Sequence, residues 1–120
     1  MKVVFASVLV VGCFLCARRD RIRQSNVPSV VQNTVAQQFS NASSVDWEKE
    51  RQNYEAEFVK DSAEYKATID PSGSLVKYKQ ELAIAQLPAP VMQTIQAQYK
   101  DFVINEVEKI EQGNQVYYQV

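Results

Sequence analysis

The chain has 120 residues, enough for one small domain, and its 46% hydrophobic and 22% charged residues are typical of a globular protein. The formal net charge of −1 hides an uneven distribution, because residues 27–120 contain eight basic and thirteen acidic residues, a net charge of −5. An acidic body of this kind gives no electrostatic reason to expect nucleic-acid binding.

The N-terminus is an apolar segment, MKVVFASVLVVGCFLCA, over residues 1–17. It is shorter than the about 20 apolar residues that span a membrane, and it has the form of a secretory signal peptide, with cleavage expected after Ala17. A lipoprotein signal that ends before Cys13 remains open, since Val10-Val11-Gly12-Cys13 is similar to a lipobox. A retained anchor also remains open. In each case we expect the membrane to be contacted only through this signal or a lipid anchor.

Chemically reactive side chains are scarce in the rest of the chain. Both cysteines, Cys13 and Cys16, lie in the apolar segment, and the sequence has no histidine. A thiol nucleophile, a Ser-His pair and a Cys-based metal site are therefore excluded beyond residue 17. The three glycines are far apart, so no phosphate-binding loop is present. We expect a protein that is not an enzyme, needs no cofactor and binds no metal.

A basic linker over residues 18–26 is expected to lead into the first helix. Val27-Pro28-Ser29 predicts the helix start, because proline has no N–H that would be left unpaired there. Apolar residues then recur every fourth position, which predicts a helix with one apolar stripe. These residues are Val27, Val31, Val35 and Phe39.

From Val45 the apolar period changes to two, which predicts four strands as far as residue 80. Turns are expected at Gln52-Asn53, at Asp61-Ser62 and at residues 70–73, the sequence DPSG. Four strands joined by short turns predict an antiparallel meander with one apolar face. We interpret Trp47 as a core residue beneath the first helix.

The same pattern then starts again with a second helix at Leu87-Pro88 and strands around residues 103–110 and 116–120. At an offset of 60, identical pairs include Pro28/Pro88, Val31/Val91, Thr34/Thr94, Glu48/Glu108 and Lys49/Lys109. We therefore predict one α+β domain over residues 27–120, built from two helix-hairpin repeats, 27–60 and 87–120. Its two layers are an antiparallel sheet of about six strands and two helices on one face.

Several of these segments resemble a known family. The strands VDWEKE and YEAEF, the turn DPSG and the Leu-Pro start of the second helix resemble the PepSY-like periplasmic proteins, common in Bacteroidetes. Their tandem-repeat domain has a fold like that of the β-lactamase inhibitor protein. The resemblance covers residues 27–120 and implies a periplasmic or secreted binding module. Inhibition is implied only by fold analogy, since no inhibitory motif can be matched residue by residue.

The face of the sheet without helices is where we expect function. The candidate binding residues alternate with the apolar ones: Glu48, Glu50, Glu55, Glu57, Lys66, Lys77, Lys79 and Tyr117. With a turn at Gln52-Asn53, Glu50 would lie opposite Glu55 and Glu48 opposite Glu57, which would also face Lys66. A solvated charge ladder, a divalent-cation site and an acidic docking surface for a basic partner all remain open, although a flat strand suits Ca²⁺ poorly.

These observations predict a non-catalytic binding module of the cell envelope, and the resemblance implies that it is inhibitor-like. It would recognise a protein, a peptide or a small ligand in the periplasm on the open face of the sheet. A second hypothesis is a structural role, in which the uncharged strand at residues 116–120 pairs with another copy of the chain. A hydrolase that uses surface carboxylates is a third.

Overall fold

A computed structural model describes Val3–Val4 and residues 20–120. The elements are β1 Val3–Val4, β2 Asp20–Ile22, α1 Ser29–Gln38, β3 Ser43–Glu50, β4 Asn53–Lys60, β5 Ala63–Ile69, β6 Leu75–Leu82, α2 Ala89–Gln98, β7 Val107–Gln112 and β8 Gln115–Gln119. Short 3₁₀ helices at Gln24–Asn26 and Ile84–Gln86 precede α1 and α2. The expected cleavage site at Ala17 and the expected lipidation site at Cys13 lie outside the described residues.

All the described strands form one sheet in the order β1-β8-β7-β6-β5-β4-β3-β2. Neighbours from β2 to β8 are antiparallel, whereas the two-residue strand β1 runs parallel to β8. The predicted two-layer architecture is confirmed. The six predicted strands are β3–β8, and the structure adds β1 and β2 at the two edges.

Both helices begin and end in the same way. The carbonyl of Pro28 accepts hydrogen bonds from the N–H groups of Val31 and Gln32, at 3.0 and 3.1 Å. The carbonyl of Pro88 accepts the equivalent bonds from Val91 and Met92, at the same two distances. Proline therefore stands at the cap of each helix, where the backbone is still extended. The sequence repeat is reproduced in the backbone.

The repeat is longer than the sequence indicates. Ile22 of β2 lies opposite Trp47, and Leu82 of β6 lies opposite Val107. The second pair is the first pair displaced by 60 positions along the chain. Each copy is thus a strand, a 3₁₀ turn, a helix and a hairpin, over residues 20–60 and 80–120. Residues 20–26 are predicted as part of a linker, but they contain β2 and a 3₁₀ helix. Ile22 is the single apolar residue that packs them against the core, and one residue gives no periodicity from which a strand could be predicted.

The apolar layer between helices and sheet consists of two clusters. The first joins the α1 stripe to the sheet residues Trp47, Ala56, Phe58, Ala67 and Ile69. The second is smaller, with Leu87, Val91 and Ile95 of the α2 stripe packed on Val107. Trp47 is 4% exposed, which confirms its predicted place in the core. The helices cover the predicted face of the sheet, but they do so as two separate cores.

The first hairpin turns one residue earlier than predicted. The turn residues are Arg51 and Gln52, so that Glu48 lies opposite Glu55, and Glu50 opposite Asn53. The predicted pairs Glu50/Glu55 and Glu48/Glu57 are therefore wrong. Arg51 adopts a positive φ of 55°, a conformation that favours glycine, asparagine or aspartate. Because an arginine stands there, the sequence does not indicate where this turn lies. The predicted facing of Glu57 and Lys66 is confirmed.

The second hairpin turns two positions later in the repeat, at Gly113 and Asn114. As a consequence, β7 begins at Val107 and not near the predicted residue 103. Among the described strands, none pairs with residues 103–106.

Candidate functional site

All eight predicted site residues lie on the open face of the sheet. The register places Glu48, Glu55 and Lys77 in one row across β3–β6, and Glu57, Lys66, Lys79 and Tyr117 in the next row. Glu50 follows Glu48 at the same side of β3. Residues at the intervening positions, such as Trp47 and Ala56, point towards the helices. The alternation of side chains along a strand produces this separation.

The charges of the open face are separated by strand. β3 and β4 carry the acidic side chains Asp46, Glu48, Glu50, Glu55 and Glu57. The neighbouring strands β5 and β6 carry Lys66, Lys77 and Lys79. They also carry Glu64 and Glu81, which lie at the same end of these strands, near Glu108 of β7. With Arg21 of β2, the described part of this face has four basic and eight acidic side chains, a net charge of −4.

Glu55 is the central residue of this face. Only 6% of its surface is exposed, and it lies opposite Thr68, which is 4% exposed. Lys66 Nζ lies 3.5 Å from Glu55 Oε1, so the lysine pairs diagonally with the buried glutamate. A carboxylate that is removed from water needs such a partner, and deleting one member of the pair leaves an uncompensated charge. The centre of the face is therefore an ordered, packed charge pair and not only a solvated ladder.

The open face has little concavity. A depression of about 110 Å³ lies at the end of β5–β7, lined by Glu64, Lys66, Lys79, Glu81 and Glu108. Lys79 Nζ stands 4.0 Å from Glu108 Oε2 there. Cavities for drug-sized ligands are about 300–1,000 Å³, so this depression is too small for such a molecule. Within the described residues, no three potential metal-ligating side chains come together.

Tyr117 differs from its predicted exposure. It is half-buried, next to Ile110 on the open face, and its hydroxyl contacts the side-chain amide oxygen of Gln115. The tyrosine and Ile110 form an apolar end to the charged face. The sequence does not indicate Ile110 as an open-face residue, because regular alternation assigns the apolar residues of a strand to the face that carries the helices.

On the helix side, Tyr78 joins the two copies. Its hydroxyl donates a hydrogen bond of 2.5 Å to Glu111 Oε2, which connects β6 to β7. Burial, and then the hydrogen bond to this carboxylate, raise the pKa of Tyr78 well above its usual value near 10. Burial also raises the pKa of Tyr65. A phenol that is held neutral in this way is a structural donor and not a base at neutral pH.

The family described as "Putative beta-lactamase-inhibitor-like, PepSY-like" matches this sequence twice, over residues 15–77 and 65–120. The two matches agree with the internal repeat. No protein among those with curated functions matches the chain.

Solved structures share the fold. A "putative periplasmic" protein from Bacteroides eggerthii superposes with a TM-score of 0.67 at 20% identity, covering 72% of this chain and 64% of that one. A DUF2874 family protein from Bacteroides uniformis gives 0.66 at 19% identity, with coverage of 72% and 64%. A BLIP-like protein from Bacteroides fragilis gives 0.65 at 22% identity, with coverage of 72% and 62%. The match thus spans less than two thirds of each of these chains. In the described part of our chain, no helix has the length and apolar character of a membrane span.

Proposed function

The chain belongs to the PepSY-like, β-lactamase-inhibitor-like family, and from this premise we propose that it is a non-catalytic binding module of the cell envelope. In this proposal the open face of the sheet holds a protein or peptide partner, in an inhibitor-like manner. The observation that carries the proposal is the charge pattern of that face, where the acidic strands β3 and β4 lie beside the lysines of β5 and β6.

The shape and charge of the face favour a macromolecular partner over a small ligand. A flat surface whose depression holds about 110 Å³ offers a small molecule few contacts. A net charge of −4 attracts a partner with a basic surface. The lysines of β5 and β6 lie to one side of the acidic strands, and this separation of charges favours one orientation of the partner. The predicted site residues Glu48, Glu50, Glu57, Lys66, Lys77, Lys79 and Tyr117 would contact that partner, and the buried Glu55 would act by positioning Lys66.

The absence of catalysis is supported by the side chains that the sequence provides. Residues 18–120 contain neither histidine nor cysteine. The carboxylates of the open face lie in rows along adjacent strands, and the buried one, Glu55, is paired with Lys66. A role in holding a partner needs none of this chemistry.

The proposed location is the periplasm or the cell exterior. The support is the family and the likeness to a structure described as "putative periplasmic". Removal of the apolar segment after Ala17 would release the domain, whereas lipidation at Cys13 would anchor it to a membrane.

The test is capture of partners by crosslinking and mass spectrometry in a native envelope. Two variants reverse charges on the open face, Glu57→Lys and Lys77→Glu. Asp101→Lys is the matched control, because it reverses an exposed charge in the loop after α2. We expect both open-face variants to reduce recovery of a specific partner by about tenfold, as is usual for charged contacts at an interface. Recovery of the same partners by all the variants would exclude the open face as the binding surface.

A second candidate function is structural, and one observation favours it. β8 is uncharged, and only its residues Gln115 and Val116 are paired with another described strand, β1, at the outer side. The edge beyond them can pair with another copy of the chain. Sedimentation velocity at high micromolar concentration tests this: a dimer supports self-assembly, and a monomer excludes it.

A further inference from the structure

A pocket of about 360 Å³ lies on the helix side of the first copy, between α1 and β3. This volume suits a small ligand, since ligand pockets range upwards from about 300 Å³. Five of the described residues that line it carry hydrogen-bonding side chains, four carboxamides and one indole: Gln24, Gln32, Asn33, Asn41 and Trp47. None of the described lining residues is charged. We call it the α1 pocket.

Trp47 provides the observation that points to a ligand. The residue is 4% exposed, and its buried indole N–H has no hydrogen-bond acceptor among the described residues. A buried donor without an acceptor is costly, so native structures nearly always satisfy such a group with protein, water or a ligand. The indole lines the α1 pocket, which is therefore the place from which an acceptor can come.

The second copy shows that the repeat does not require these polar groups. The polar residues at positions 24, 32 and 47 are replaced sixty positions later by apolar ones: Ile84, Met92 and Val107. Both helices nevertheless have ten residues and the same proline cap. Val107 also holds the register position of Trp47. The polar lining is thus a property of the first copy and not of the fold.

The amide wall of the pocket is ordered by its own hydrogen bonds. Gln32 Nε2 donates to the backbone carbonyls of Gln24 and Val27, both at 2.9 Å. Gln24 Nε2 donates in turn to Gln32 Oε1, at 3.1 Å. Within the described residues, these bonds leave Gln24 with its amide oxygen and one amide hydrogen for a ligand. An ordered wall loses little conformational freedom on binding, which favours affinity.

The chemistry of the lining specifies the class of ligand. An uncharged lining favours a neutral molecule. Carboxamides both donate and accept hydrogen bonds, as sugar hydroxyls do, and Asn33 and Asn41 are exposed. The indole only donates, so its partner must carry an acceptor such as a carbonyl oxygen. Val35, Phe39 and Val45 line the same pocket and provide apolar surface for a methyl group. An acetamido group combines that carbonyl with that methyl.

We propose that the α1 pocket binds a neutral sugar that carries an acetamido group. The acetamido carbonyl accepts the hydrogen bond of the Trp47 indole, and its methyl packs on the apolar lining. The sugar hydroxyls pair with the carboxamides of Gln24, Asn33 and Asn41. Because the indole N–H is buried, the ring turns slightly towards the pocket when the sugar binds. The α1 pocket shares no described lining residue with the depression of the open face, so this binding is a further function.

The experiment uses the full chain and N-acetylglucosamine as the probe. Trp47 is the only tryptophan of the sequence, so its indole N–H gives a single signal in a proton–nitrogen NMR spectrum. We expect a saturable shift of this signal, with a dissociation constant of about 1 mM for a ligand of this size. Glucose lacks the acetamido group and should bind about tenfold more weakly, because the indole N–H then has no carbonyl partner.

One variant and a matched control locate the binding. Gln24→Ile introduces the side chain that stands at the equivalent place in the second copy, and it should weaken sugar binding by about tenfold. Gln38→Ile makes the same substitution at an exposed position of α1 outside the described lining, and it should leave the dissociation constant unchanged. Circular dichroism verifies that both variants are folded.

Four results would overturn the proposal. The absence of a saturable shift up to about 50 mM sugar would mean that water or another part of the chain satisfies the indole. Equal binding of N-acetylglucosamine and glucose would exclude a role for the acetamido group. Unchanged binding in Gln24→Ile would place the sugar elsewhere. Tighter binding of the capped amino acid N-acetylglycine methylamide than of the sugar would identify a peptide as the occupant.

Discussion

The two copies of the repeat share their backbone but not their packing. In the first copy, the ring of Phe39 contacts Phe58, Tyr65 and Tyr78, with centroid distances of 5.0, 5.9 and 5.3 Å. In the second copy, the equivalent Tyr99 contacts the exposed Phe102. Similar helices on similar hairpins thus produce an aromatic cluster in one half and a pair that includes an exposed ring in the other.

The difference comes from the strands that lie between the copies. Tyr65 and Tyr78 belong to β5 and β6, which complete the sheet beneath α1. Within the described residues, α2 has no second hairpin of this kind beside it. The comparison teaches that a repeated sequence unit acquires its packing from its neighbours.

The largest expected effect is on the first core. Phe58→Ala should lower the free energy of unfolding by about 3–5 kcal/mol, because it removes a buried ring and leaves a cavity. Tyr118→Ala, in the second cluster, should cost about 1–2 kcal/mol, since Tyr118 is only partly buried. Urea denaturation measures both. Equal losses would show that the two cores contribute alike.

An intermediate effect is expected at Gly73, in the turn that packs against α1. Its φ is +91°, and an added Cβ would lie 2.6 Å from Val30 Cγ2. The Thr34 hydroxyl also donates a hydrogen bond of 2.6 Å to the Gly73 carbonyl. Gly73→Ala should therefore destabilise the fold by about 2–3 kcal/mol.

Gly113, in the turn of the second hairpin, provides the matched control. Its φ is +59°, but an added Cβ would meet no atom within 4 Å. Gly113→Ala should cost about 1 kcal/mol from backbone strain alone. If thermal or urea denaturation gave the two variants the same loss, the close contact between the turn and α1 would contribute nothing.

The smallest effect is expected at the contact between the copies. Tyr78→Phe removes the hydrogen bond to Glu111 and should cost about 1 kcal/mol at neutral pH. Because the folded-state pKa of Tyr78 is raised, its contribution is present below about pH 10, the pKa of an unfolded tyrosine, and is lost as pH rises towards the folded-state pKa.

Measuring stability between about pH 9 and 12 tests this assignment. The original chain should lose stability over this interval more steeply than Tyr78→Phe does. Parallel pH profiles for the two proteins would mean that Tyr78 ionises with the same pKa in the folded and unfolded states.

Much of the fold could be predicted because its signals are local. Apolar residues at every fourth position, from Val27 to Phe39 and from Leu87 to Tyr99, indicated the helices, and alternation indicated β3–β6. The positions of the hairpin turns were less predictable. Arg51 takes a positive φ without glycine, and the resulting register changed the partners of Glu48 and Glu50.

The candidate site was predictable as a set of residues and not as an arrangement. Alternation was enough to place Glu55 and Lys66 on the open face. Their diagonal contact of 3.5 Å, and the burial of Glu55, depend on neighbouring strands. The apolar run of residues 102–104 predicts part of a strand, whereas the structure leaves Phe102 and Val103 exposed before β7 begins at Val107.

The sequence by itself determined the repeat, the two helices and the side of the sheet on which each charge lies, because these follow from spacing along the chain. Only the tertiary structure decided that Phe39 is enclosed by three aromatic rings, whereas Tyr99 contacts the exposed Phe102. The physical reason is that enclosure depends on which strands meet beneath a helix, and β5 and β6 bring Tyr65 and Tyr78 beneath α1.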